Sequence, residues 1–130
     1  MLTTIASIVS GAIGVGIIFL GARFLLAPRT AAAGYGVVVD AAFSQTPAYA
    51  PYPWLYVKGV RDVASGLFIF ILLANHAPHL LGAFMGAATL IPVGDAVIVL
   101  RSGGSRAAAF GIHGATAAVM LAASAALLMA

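Results

Sequence analysis

The chain has 130 residues, 63% of them hydrophobic and only 7% charged, with a net charge of +3. A soluble domain carries about 25% charged residues, so too few polar groups are present here to cover a water-facing surface. A disordered chain, which combines low hydrophobicity with high charge, is excluded by the same composition, and an integral membrane protein is the class that remains.

A spanning helix needs about 20 mostly apolar residues, and four stretches qualify. The first runs from about Thr4 to Ala27. It has no Lys or Arg before its apolar run and is too long for a signal peptide, so it reads as a retained span. A long connection, about Pro28 to Trp54, follows. Pro47, Pro51 and Pro53 make it too proline-rich toward its end to be helical there. Gly34-Tyr35-Gly36 is a poor phosphate loop, because no Lys-Ser/Thr follows it. Tyr49, Tyr52, Trp54 and Tyr56 gather just before the second span, either as an aromatic belt at the headgroups or as a lid over a site.

The second span is about Leu55 to Ala74, the third about His79 to Leu100 and the fourth about Ala107 to Met129. Pro92 in the third span removes a helix hydrogen bond to Ala88 and predicts a kink beside Asp95. Gly82 and Gly86 form a small-x-x-x-small pair, about 140° to 180° around that helix from Asp95. They are expected to face outward, toward a second copy in a homo-oligomer. His76 and His79 in the short outer connection read as solvated loop histidines. The expected architecture is all-α, a four-helix membrane bundle in one domain.

Lys and Arg set its orientation. Arg23, Arg29 and Lys58 flank the first connection and Arg101 and Arg106 bracket the third, while the second connection and both chain ends have neither. Basic flanks stay in the cytoplasm, so both termini are expected on the outer side. The plasma membrane of a bacterium is the expected location. One or two basic residues per connection are topology signals and not a nucleic-acid patch.

Titratable groups inside the spans carry the functional reading. Lys58, Arg61, Asp62 and Ser65 fall within a single arc of about 100° at the start of the second span. Asp62, Asp95 and His113 each lie about 8 to 10 Å from the cytoplasmic end of their span. A charge facing lipid costs several kcal/mol, about 3 on insertion scales, so these groups are expected to converge inside the bundle. One reading is a structural network, with Arg61 paired to Asp95 and Lys58 to Asp62. The other is a site for a lipophilic small molecule, with Asp62, Asp95 and His113 as acid–base groups. Lys58, Arg61, Ser65, Trp54 and Tyr56 would then bind the ligand. A metal on Asp62, Asp95 and His113 is disfavoured, because Lys58 and Arg61 already neutralise both acids. No cofactor is expected, and the absence of Cys removes thiolate chemistry.

Lys58-Gly59-Val60-Arg61-Asp62, then Gly94-Asp95-Ala96-Val97-Ile98-Val99 and His113-Gly114, resemble a family of small four-helix membrane proteins, domain of unknown function 4267. The resemblance implies a membrane bundle in which the Arg-Asp, the Asp and the His are characteristic, and it implies no activity. Isomerisation, epoxide opening or cyclisation would suit an acid–base site in such a bundle. Transport fits poorly, since Leu67 to Ala74 is wholly apolar and Ala117 to Met129 is apolar except for Ser124. The alternative is a non-catalytic membrane assembly partner or transporter subunit whose polar layer is a structural salt-bridge network.

Overall fold

The structure is a computed structural model that describes residues 1–36 and 53–129. Tyr49, Tyr52, Pro47 and Pro51 lie outside the described residues, as does most of the long first connection. Every regular element described is helical. Helix α1 spans Leu2–Leu26 and α2 Pro28–Tyr35; α3 spans Pro53–Ala74, α4 Pro78–Ala88 and α5 Leu90–Arg101. A π-helical segment, Ala108–Gly114, runs directly into α6, Ala115–Leu128.

Among the described residues, three segments are long and apolar enough to cross a membrane: Leu2–Leu26, Pro78–Arg101 and Ala108–Leu128. Four spans were expected, and α3 falls short on composition, not on length. It has 22 residues, or about 33 Å of helix. Lys58, Arg61 and Asp62 in its first half put three charges into every stretch of it long enough to span. Many large apolar side chains stand outward on the helices, among them Ile8, Phe19, Phe68, Ile98 and Leu121. Exposed apolar faces of this extent suit contact with a lipid bilayer.

Helices α1 and α3 pack along their length through glycines seven residues apart on each. A Cβ at Gly21 would lie 2.7 Å from the Gly59 carbonyl, and one at Gly66 would lie 2.8 Å from the Gly14 carbonyl. No larger residue fits without parting the backbones. One apolar core joins Ala6, Ile69, Leu81, Met85, Met120 and Leu127. A second, near the start of α3, joins Phe24, Ala31, Ala32, Tyr35 and Leu55.

The third span is interrupted at Thr89, between α4 and α5, three residues before Pro92. The Thr89 hydroxyl donates back to the Met85 carbonyl at 2.8 Å. The kink expected from Pro92 thus coincides with a change of helix. The outward placement of Gly82 and Gly86 is corrected. A Cβ at Gly82 would sit 3.0 Å from Leu127, and one at Gly86 2.9 Å from Ser124 Oγ. Ser124 Oγ donates to the Gly82 carbonyl at 2.7 Å. These glycines pack α4 against α6 within one bundle. The angular argument assumed that a core helix has one inner face. Here α4 faces α6, while α5 turns Asp95 toward α2 and α3.

Candidate functional site

The start of the long connection positions the site. Pro28 opens α2, where its missing N–H and fixed φ suit a first helical turn. The helix closes on Gly36 with φ +88°. Gly36 is required there on two grounds: the left-handed backbone, and a Cβ position only 2.6 Å from Ala108 Cβ. Gly104 fits against the Gly36 carbonyl in the same way. The C-terminal turn of α2 is thereby wedged between Val99 of α5 and Ala108 of the π-helical segment, while the helix itself packs on α1 and α3, with Tyr35 directed into the bundle.

Tyr35 is the hub of the polar layer. Its hydroxyl donates to Asp95 Oδ2. Its carbonyl accepts from His113 Nε2 at 3.0 Å, and its ring meets the His113 ring edge-on with centroids 4.3 Å apart. Burial, with Asp95 beside it, pushes the Tyr35 phenol up from its ordinary range, so it remains a donor. Lys58 Nζ lies 4.5 Å over the Tyr35 ring and 5.3 Å from the Phe24 ring. The same ammonium is 3.0 Å from Asp62 Oδ2 and 3.8 Å from Asp95 Oδ2. His113 is 3% exposed and stands in the π-helical segment. Such wider turns occur often at functional sites, because the extra residue re-aims neighbouring side chains.

Asp62, Asp95, His113, Lys58 and Ser65 thus line one inner cavity of about 80 Å³. Its other walls include Ile17, Leu20, Ile69, Phe84 and Met120, so polar groups are gathered at one end of an apolar space. A wider cleft of about 710 Å³ adjoins it between α3 and α5. The two spaces share Tyr35, Lys58, Asp62, Ser65, Ile91 and Asp95. Trp54 and Arg61 line the cleft and not the inner cavity. Tyr56 is half-buried and lines neither. Lys58, and not Arg61, faces Asp95 across the gap. Arg61 is exposed and pairs with neither Asp62 nor Asp95. Among the described residues, no group of three metal-binding side chains stands together.

Tyr35 and the π-helical segment were not legible beforehand. The one signal for Tyr35 was its pair of flanking glycines, which permit a tight turn but do not reveal what it packs against.

Comparison with curated proteins and with solved structures gives no match. A family model does match, described as a domain of unknown function (DUF4267), over residues 14–127. That stretch holds the α1–α3 glycine seam from Gly14 onward, Tyr35 and every polar residue of the inner cavity, and the chain belongs to this DUF4267 family of domains of unknown function.

Proposed function

We propose that this is a multi-pass membrane protein whose polar layer binds a lipophilic small molecule and presents it to acid–base groups. The observation that carries the reading is Asp95 on the wall of an apolar cavity. It uses Oδ2 for both Tyr35 and Lys58, and Oδ1 has no hydrogen-bond partner among the described residues. A carboxyl held on one oxygen and open on the other is arranged to meet a ligand. Asp62 and His113 supply further proton-carrying groups on the same cavity, and Ser65 a hydroxyl. A site of this kind suits isomerisation, epoxide opening or cyclisation of a hydrocarbon-rich substrate.

A purely adhesive network is less well supported. The closest pair, Lys58–Asp62, lies within one helix and ties nothing together. Only the longer Lys58–Asp95 contact joins α3 to α5 by charge. The test is native mass spectrometry of the protein purified in mild detergent. The wild type should carry a lipophilic small molecule, and the isosteric Asp95→Asn variant should fold but lose about ten-fold or more in occupancy, or 1.4 kcal/mol of binding. A folded Asp95→Asn protein with wild-type occupancy would leave the network reading in place.

A further inference from the structure

The cleft and its charge arrangement identify the kind of ligand head the site takes. Helices α3 and α5 barely meet along their length, and the cleft lies between them. Trp54, Val57, Arg61 and Phe68 come from one side, Ile98 and Ser102 from the other. Trp54, Phe68 and Ile98 are more than half exposed. In a bilayer, such a wall faces acyl chains, so the polar layer is reached sideways from the lipid.

At the inner end of the cleft, one ammonium stands between two carboxyls. Lys58 is fully engaged, with Asp62, Asp95 and the faces of Tyr35 and Phe24 around it, so it has little left for an incoming anion. His113 contacts a backbone carbonyl and makes no ion pair with either acid. Arg61 lines the cleft but pairs with neither acid. Among the described residues Lys58 is thus the one cation in contact with the two carboxyls, and Asp95 Oδ1 has no hydrogen-bond partner. A carboxylate oxygen open to an apolar cleft is the chemistry that accepts a charge-assisted hydrogen bond from an ammonium group. We propose that the site takes a single-chain amphiphile with a cationic amine head, entering from the bilayer through the α3–α5 cleft. Its head meets Asp95 and Asp62, and its chain lies along the Phe68–Ile98 walls toward the apolar end of the inner cavity.

This inference rests on the ligand-binding reading of the site, and one titration separates the two. Trp54 is the chain's single tryptophan and lines the cleft, so its emission reports occupancy. Dodecylamine, 1-dodecanol and dodecanoate are each titrated into the purified full chain in a neutral maltoside detergent at pH 7, below their own micellar concentrations. Dodecylammonium should bind about ten-fold or more tightly than dodecanol, and dodecanoate most weakly, as expected for charge-assisted recognition. In Asp95→Asn the amine should lose that advantage while dodecanol binding persists, which also shows that the variant is folded. Saturable dodecanol binding with no preference for the amine would overturn the amine assignment and keep the lipophilic site. Tighter binding of dodecanoate would do the same. Saturation by none of the three would defeat both readings.

Discussion

Tyr35 is tied to three elements at once, through its hydroxyl to Asp95, its carbonyl to His113 and its ring to Lys58. Replacing Tyr35 with Phe keeps the ring and the backbone acceptor and removes only the hydroxyl. Asp95 then loses a donor but retains Lys58 at 3.8 Å. The expected result is a folded protein destabilised by about 1–2 kcal/mol, because intramembrane hydrogen bonds are modest and those to charged groups stronger. Unfolding in detergent measures the stability, and occupancy of the co-purified ligand should fall with it. An unchanged stability would mean that the hydroxyl is not held by Asp95. Asp62, Asp95 and His113 were legible because a titratable side chain inside an apolar run is rare and must find company in the bundle. A tyrosine in a connection has no such rarity. Its role depends on where α2 folds back, which is decided by contacts with Val99 and Ala108 far along the chain. Arg61 marks the opposite limit. Helical periodicity put it on the polar arc, yet it stands at the edge of that arc, where a long side chain can stay outside the layer.

At the level of elements, the site depends on how two irregular pieces meet, the α2 turn and the π-helical segment. Gly36 is where they touch, and the consequence is measurable. Gly36→Ala forces a side chain into a left-handed backbone at φ +88° and against Ala108. A loss of about 2–4 kcal/mol is expected from the two effects together. Gly34→Ala is the companion change. A Cβ at Gly34 meets nothing within 4 Å, in a helix whose interior favours alanine. It should be neutral or gain up to about 1 kcal/mol. Thermal unfolding of both variants tests the wedge, and equal effects would show that α2 is not held there. Glycine pairs such as Gly82 and Gly86 can be read from sequence as sites of close approach, but the partner cannot. Any helix with two neighbours can bury two faces, and only the packed bundle reveals that α6 takes this one. The π-helical turn leaves no trace in periodicity, since one widened turn shifts the pattern by less than the eye resolves in so apolar a run.

At the scale of the molecule, the charged side chains of the described spans are gathered at one end. Arg23 closes α1, Lys58 lies near the start of α3, Arg101 closes α5 and Arg106 precedes the π-helical segment. The same end holds the polar layer and the α2 wedge, whereas the core of Ile69, Leu81, Met85 and Leu127 fills the other. An antiparallel course puts the start of α1 and the end of α6 at that apolar end, with Ala6 and Leu127 in its core. Retention of Lys and Arg in the cytoplasm therefore predicts that both termini face outward and that the cleft opens to the inner leaflet. Fusions of alkaline phosphatase, active only outside the cytoplasm, and of green fluorescent protein, fluorescent only within it, read this directly at each terminus. Phosphatase activity at both ends is the expected outcome. Changing Arg101 and Arg106 together to Gln should weaken that preference, since two of the positive charges that hold the third connection inside are removed. Fluorescence from a C-terminal fusion of the unaltered chain would reverse the bundle and turn the cleft toward the outer leaflet. The cavity and its carboxyls would be unchanged, because they depend on packing within the bundle and not on which face of the membrane it meets.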